Sequence, residues 1–434
     1  MLSLAPDLDR VLPVLWDLVE GLPVVGHNIS FDLAFLCRAF NLTSWPYPYF
    51  DTFPLCRIIY PRLSSYSLES LSRFLDLKAE AHHRALADAY TTLELFLRLW
   101  QDTLSLEKEL LRRMLHLSPP PLRPWFEGAL SSSPTLCAEA AASAFNPARE
   151  GPILQERKDV PPPGKLHYSI EDMASHLAPG GSLSLLFPGY EHRLQQIQVL
   201  KAVARALEEE IHLVVEAGTG TGKSWAYLLP AIYWACSRGE RVVIATHTIS
   251  LQEQLLHKDL PVLKRILPFE FRAALLKGRG NYLCRRKLKE ALEEPPETEG
   301  ERAFLMRVLA WFRETSIGDW NELKLTPEEE AWKVQLSAEK ETCIGSTCPH
   351  FEECFFNKAR EEAEGVHILL INHSLLLSDL RFKQQILPDY FYLVIDEAHH
   401  LEEVAFEHLG ITVKESFLNL ISRRWGDRSR PSLY

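Results

Sequence analysis

Residues 216–224 read Glu-Ala-Gly-Thr-Gly-Thr-Gly-Lys-Ser, and residues 393–399 read Leu-Val-Ile-Asp-Glu-Ala-His. The first stretch has the chemistry of a phosphate cradle. Its small residues Gly218, Thr219, Gly220, Thr221 and Gly222 let backbone N–H groups close around phosphate oxygens. Lys223 neutralises the β/γ charge, and the Ser224 hydroxyl ligates Mg2+. A strict phosphate loop has Gly six residues before the Lys, where this chain has Ala217, a mild departure. In the second stretch Asp396 can hold Mg2+, and Glu397 can orient and deprotonate an attacking water. Together they are the two halves of a nucleotide-hydrolysing site, with ATP and Mg2+ as the implied cofactors.

Such groups work only if strand tips carry them to one place. Leu213, Val214 and Val215 read as a buried strand before the loop, and residues 225–236 as the helix after it. Residues 390–395 form a second apolar strand that ends on the two acids. Residues 241–246 read as a further strand, followed by a helix over about 250–256. This alternation across residues 186–434 is that of a parallel α/β sheet. It is interrupted at about 278–360 by a charged, helical stretch, clearest at 301–312. An insertion of that length between core strands reads as functional.

At 434 residues and 46% apolar, the chain has the material for two or three domains with sizeable cores. A net charge of −11 does not mark a nucleic-acid binder, although a local basic groove can sit on an acidic protein. The first residues lack the basic region of a signal peptide, and no apolar run approaches the length of a membrane span. Eight cysteines are too sparse for a disulfide scaffold. A cytoplasmic enzyme is expected, with no membrane partner. Residues 1–116 look globular. Residues 117–185, with Pro119-Pro120-Pro121, Ser131-Ser132-Ser133 and Pro161-Pro162-Pro163-Gly164, read as a Pro/Ser/Ala-rich linker with one short helix.

Several segments extend the nucleotide-site pattern. Tyr190 and Arg193-Leu194-Gln195-Gln196 precede a helix at 199–207. Residues 244–254 turn from strand to helix with hydroxyls and amides at the turn, and residues 371–376 end a further strand on polar tips. With the Asp-Glu-Ala-His box, these residues resemble the DinG branch of XPD-like, superfamily 2 DNA helicases over most of 186–434. The resemblance implies two RecA-like lobes with ATP between them, single-stranded DNA crossing both, and 5′ to 3′ tracking. It gives Lys223, Ser224, Asp396 and Glu397 to ATP and Mg2+, Gln196 to adenine, and the turn at Thr246–Thr248 to DNA. Single-stranded, forked or displaced-strand DNA is the implied partner. About 35 residues follow the box, so residues 186–434 are expected to make the first lobe alone. Without the arginine fingers of a second lobe, worth about 10³–10⁵ in rate, the chain is expected to bind ATP and hydrolyse it poorly.

Inside the insertion stand Cys284 and then Cys343-x4-Cys348-x5-Cys354. Four thiolates suit zinc or an iron–sulfur cluster. The two tight Cys-x2-Cys knuckles usual for zinc are missing, so the loose spacing favours the larger 4Fe-4S cluster; ordinary free thiols are the third alternative. Placement in the insertion also resembles the iron–sulfur domain of the same helicases. Lys277, Arg279, Arg285, Arg286, Lys287 and Lys289 crowd beside Cys284 and read as a DNA-backbone contact.

Residues 1–116 carry a second chemistry. His27-Asn28-Ile29-Ser30-Phe31-Asp32 follows an apolar strand and leads into a helix at 33–40. His83-Arg84-Ala85-Leu86-Ala87-Asp88 opens a helix running to about residue 100. Asp51-Thr52 ends another strand-like run. These segments resemble the second and third motifs of DnaQ-like DEDDh exonucleases, whose fold is ribonuclease H-like. The resemblance implies Asp32 and Asp88 as ligands of Mg2+ or Mn2+ and His83 as general base. The first motif, an Asp-x-Glu on the opening strand, is missing, since Asp7-x-Asp9 leads directly into the helical stripe Val11, Leu12, Leu15 and Val19. No digestion of DNA is expected from this remnant, and His27 is left out of catalysis. The sequence thus reads as an α/β chain, a partial exonuclease joined to a RecA-like helicase lobe. The alternative is a module that grips ATP and DNA without productive turnover.

Overall fold

The computed structural model describes residues 7–77, 85–132, 168–187, 189–218, 221–339, 342–381 and 386–409. The chain folds as two compact units and visits the first of them twice. Unit one comprises Met1–Ile153 and Arg279–Phe355, and unit two Leu154–Gly278 and Phe356–Tyr434.

Unit two is built on a four-stranded parallel sheet: β3 (Val242–Thr246), β4 (Ala273–Leu275), β5 (Ile368–Asn372) and β6 (Tyr392–Ile395), in the order β4-β5-β3-β6. The two central strands read Val-Val-Ile-Ala-Thr and Ile-Leu-Leu-Ile-Asn, near-continuous apolar runs because a parallel sheet is covered on both faces. Register pairs Val242 with Ile368 on one side and with Tyr392 on the other, so Thr246, Asn372 and Asp396 emerge along one edge. The helix Lys223–Arg238 has ten consecutive buried residues, 226–235, and packs with Leu194–Glu208 over this sheet.

Two expectations need correcting here. Leu213, Val214 and Val215 form no strand: their backbone pairs with no ladder among the described residues, and Val214 is 97% exposed. An apolar triplet becomes a strand only where a neighbouring edge receives its N–H and C=O groups. The stretch 117–185 also holds more order than a linker. Leu122, Trp125, Phe126 and Ala129 are buried on and just before the helix Arg123–Ser131, at helical spacing that the Pro and Ser content obscures. Helices Ile170–Ser175 and Ser182–Leu186 place Met173 and Leu183 in the core of unit two. Residues 133–167 of that stretch lie outside the described residues.

In unit one, β1 (Val24–Gly26) and β2 (Tyr49–Asp51) pair in parallel. Around them lie Leu8–Val19, Ser30–Ala39, Thr52–Ile59, Leu68–Leu75 and Ala85–Leu104. Trp125 is the hub of an aromatic cluster, edge-on to Phe96 and Trp100, with its Nε1 donating to Thr103 Oγ1 at 3.1 Å. The inserted residues share this unit. Their long helix, Glu299–Glu314, is buried from Phe304 to Trp311 and packs on Thr52–Ile59 and Lys108–Leu117.

That contact contains a buried charge. Arg307, 1% exposed, pairs with Glu329 at 2.9 Å and donates to Pro61 O at 2.9 Å and Lys324 O at 3.1 Å. Arg57 reaches the same Glu329 oxygen at 2.5 Å. These three polar partners offset the desolvation of one guanidinium, and removing the carboxylate would strand it. Replacing Glu329 by Ala should therefore cost about 3–5 kcal/mol of unit-one stability. Denaturant unfolding followed by tryptophan fluorescence checks this, and an unshifted midpoint would contradict it.

Candidate active site

The helix Lys223–Arg238 starts at Gly222, whose φ of 76° lies in the left-handed region that glycine adopts without penalty. The turn aims the helix N-terminus and its free N–H groups outward, an anion site in its own right. Thr221 Oγ1 closes the loop on Gly218 O at 2.9 Å. Thr219 and Gly220 lie outside the described residues.

Opposite stands the end of β6. Asp396 N continues the ladder by donating to Ala245 O at 2.9 Å, which fixes the acidic pair against β3. Glu397 itself has a φ of 52°, a conformation costing roughly 1–2 kcal/mol for a residue with a Cβ. The turn presents its carboxylate to Lys223, with Nζ to Oε1 at 2.9 Å and both side chains 29% exposed. The Lys223 hydrogen bond holds the Glu397 carboxyl below the ordinary carboxylate range against partial burial. The pair therefore outlasts the pH at which a free glutamate protonates, and is lost as pH falls through that depressed value. Asp396 keeps Oδ1 on Glu397 N at 3.0 Å and receives the Tyr227 hydroxyl on Oδ2 at 2.9 Å.

The two halves read from the sequence thus meet within hydrogen-bond distance. Ser224 and Asp396 offer the hard oxygen donors that Mg2+ takes, and would hold it when nucleotide binds. Bound there, the ion neutralises phosphate charge. The chain's own part there would be to cradle phosphates on the helix start, place Lys223 on them, and aim the Glu397 carboxylate.

Gln196 sits against the phosphate loop. It is 3% exposed, its Nε2 donates to Gly222 O at 2.8 Å, and its Oε1 lies 3.2 Å from the Tyr190 hydroxyl. Both ends of the amide are engaged with the loop and its flank. Thr246 is fully buried with its hydroxyl on Thr248 O, and Thr248 Oγ1 caps Leu251 N, so these hydroxyls serve the turn itself.

Two residues at this site were missed. Tyr227 lies one helical turn beyond Lys223, a spacing that could have flagged it. His373, fully buried, donates Nε2–H to Asp396 O at 2.9 Å, and burial pushes its pKa down. It belongs to the 371–376 segment noted above, where only its polarity was visible.

Cations of the run beside Cys284 have acidic neighbours. Arg285 packs its guanidinium against the rings of Phe312 and Phe355, at 5.0 and 4.7 Å, and pairs with Glu353. Arg286, Lys287 and Lys289 pair with Glu290, Glu339 and Glu293, while Lys277 is 1% exposed on Glu253. Glu290 and Glu293 are one turn away in sequence, whereas Glu339, Glu353 and Glu253 are brought alongside by the fold.

Cys284 caps the helix Arg285–Glu293. Burial pushes its thiol up, while the N–H groups of Lys287 and Arg286 and the Arg286 charge pull it down; Cys354 is near enough to add a further upward push. Arg286 also feels Cys348. Among the described residues, no three His, Cys, Asp or Glu side chains are arranged to hold a metal ion.

In unit one Asp32 is exposed in the first turn of Ser30–Ala39, and Asp88 lies in the first turn of Ala85–Leu104. Among the described residues they are not grouped with a third ligand. His83 lies outside the described residues. Asp51 accepts from Phe53 N and Asn28 N, a local cap. His27 contacts Tyr66 O at 2.8 Å and Thr52 Oγ1 at 2.9 Å. A carbonyl only accepts, so Nε2 carries the proton, and burial holds the pKa of this ring below its usual value.

A helix N-terminus facing an Asp-Glu pair at a parallel strand tip is the arrangement of a P-loop nucleotide site, and the second segment carries an Asp-Glu-Ala-His box. Comparison with known proteins agrees: residues 195–292 match the family described as DEAD/DEAH box helicase, and residues 1–96 the family described as Exonuclease. The chain is 32% identical over 413 residues to the 3'-5' exonuclease DinG of Bacillus subtilis, covering 93% of this chain and 43% of that protein. It is 37% identical over 255 residues to the ATP-dependent helicase DinG of Mycobacterium tuberculosis, covering 54% of this chain and 38% of the relative. Against the ATP-dependent DNA helicase YoaA of Escherichia coli it is 36% identical over 246 residues, covering 55% and 38%. The chain spans less than half the length of each of these relatives. Among the described residues no helix is long and apolar enough to cross a membrane.

A Cβ at Gly222 would sit 2.2 Å from Gln196 Nε2, on a backbone that disfavours one. Gly222→Ala should weaken ATP binding by about 1–2 kcal/mol, the cost of that conformation. Equilibrium nucleotide titration checks this, and unaltered affinity would contradict it.

Proposed function

We propose that this chain provides the ATP-binding lobe of a DinG-type DNA helicase, coupled to an exonuclease-like region, and that it works on single-stranded DNA in repair or replication. The observation that carries the reading is the 2.9 Å contact between Lys223 and Glu397, which joins the phosphate loop to the hydrolytic acid across separate elements. In the proposed cycle the γ-phosphate replaces Glu397 as the partner of Lys223, and Glu397 is released to take a proton from water. Tracking 5′ to 3′ on forked or displaced strands follows from the resemblance to DinG and XPD helicases.

A second reading has an observation of its own. The resting pair ties up both catalytic groups, which suits a lobe that grips ATP and turns over only when another polypeptide segment supplies an arginine finger. An ATPase assay with and without single-stranded DNA separates the two. DNA-stimulated turnover, abolished by Lys223→Ala, is the expected result for the enzyme. Binding without turnover favours the second reading, and hydrolysis unaffected by Lys223→Ala would remove the phosphate-loop assignment.

We also propose that Cys284, Cys343, Cys348 and Cys354 hold a 4Fe-4S cluster. Four sulfur donors within one insertion, one of them at the start of a helix, suit this cargo. The cluster would brace the insertion. Anaerobically purified protein should be brown, absorbing near ~400 nm with thiolate–iron character, and should bleach in the Cys348→Ser variant. Colourless, zinc-loaded protein would overturn the assignment.

For the exonuclease-like region we propose Asp32 and Asp88, with His83 as base, as the candidate Mg2+ or Mn2+ site.

A further inference from the structure

Tyr227 is 6% exposed, and its ring is buried under the sheet edge. It lies three residues after Ser224 and four after Lys223, so all three project from one face of the same helix. Its hydroxyl donates to Asp396 Oδ2 at 2.9 Å. One phenol, a single turn beyond Ser224 on the loop helix, therefore holds the carboxylate at the tip of β6. The other carboxylate oxygen of Asp396 is already taken by Glu397 N. With both oxygens engaged, the carboxylate has no rotational freedom left to lose when it meets a cation.

We propose that Tyr227 is a positioning residue for the metal half of the nucleotide site: its hydroxyl fixes the Asp396 carboxylate in the geometry that receives Mg2+·ATP. The inference rests on the nucleotide-site reading above and goes one step further. It assigns Mg2+ selectivity of binding to a tyrosine outside both sequence signatures. Tyr227 touches neither phosphate nor reacting water, so its loss should act on metal-dependent affinity and leave metal-free nucleotide binding as it was. A residue of purely structural importance would lower both together.

The test is equilibrium binding of a fluorescent, non-hydrolysable ATP analogue to the full chain and its Tyr227→Phe variant, in EDTA and across a Mg2+ titration. Phe keeps the ring in its buried place, and a thermal melt of each protein verifies the fold. The expected result is equal affinity in EDTA and an about tenfold higher Mg2+ concentration for half-maximal tight binding in Tyr227→Phe, the scale of one hydrogen bond to a charged group. In an Asp396→Asn background the same change should have little further effect. Superimposable Mg2+ curves for wild type and Tyr227→Phe would overturn the inference while leaving the nucleotide site intact, and so would an equal loss with and without metal. A wild-type chain that binds no analogue under any condition would overturn both. Should Tyr227→Phe not fold, Tyr227→Met, which fills the same space without a hydroxyl, carries the same expectation.

Discussion

Everything at the nucleotide site depends on the parallel registration of β6 against β3. Val242 stands opposite Tyr392 and Ala245 opposite Ile395, and the ladder closes with Asp396 N on Ala245 O. Because side chains alternate along a strand, a slip of one residue would turn Asp396 to the other face of the sheet. The left-handed turn at Glu397 then swings the next carboxylate onto Lys223. Strand register sets one acid, and a single residue in the left-handed region sets the other. Open α/β sheets bind ligands beyond the carboxyl ends of their strands, and here both chemical segments lie at that end.

Pairing of opposite charges governs much of what remains. The chain carries 58 acidic and 47 basic side chains, so acids are in surplus and most cations near an acid find one. Lys223 rests on Glu397, Lys277 on Glu253, and Arg307 on Glu329. These contacts differ in kind. Arg307 is sealed among partners that nothing in the chain's chemistry would displace, whereas the pair at Lys223 is partly open to solvent and has an obvious competitor in a triphosphate. Low exposure makes the first a strut, and moderate exposure makes the second exchangeable.

Sequence periodicity was most informative where one element alone determines the outcome. The helix after the phosphate loop, the strand at 241–246 and the strand ending on Asp396 all stand close to their expected limits. It failed where a partner decides. Val214 is as apolar as Val243, yet only Val243 has a strand on each side. The helix at Trp125 was hidden by Pro and Ser neighbours that dominate composition but not the buried face. Gln196 was legible as a polar residue at a helix start, while its attachment to Gly222 depends on a close approach between residues 26 apart. The role of Tyr227 was illegible for the same reason: Asp396 is 169 positions away. Motifs announce groups that meet ligands, and they are silent about groups that hold those groups still.

The twofold visit of the chain to unit one has a consequence for biosynthesis. Pro61 and Arg307, 246 positions apart, share one interior hydrogen bond. A ribosome adds about 5–20 residues per second, so the surface of Thr52–Ile59 destined to meet Glu299–Glu314 waits some tens of seconds for its cover. During that interval its apolar face stands open to solvent, and closing such a long loop slows the step further. The nascent amino-terminal segment is thus a natural client for chaperones that shield hydrophobic surfaces, until the inserted residues leave the exit tunnel and complete its core.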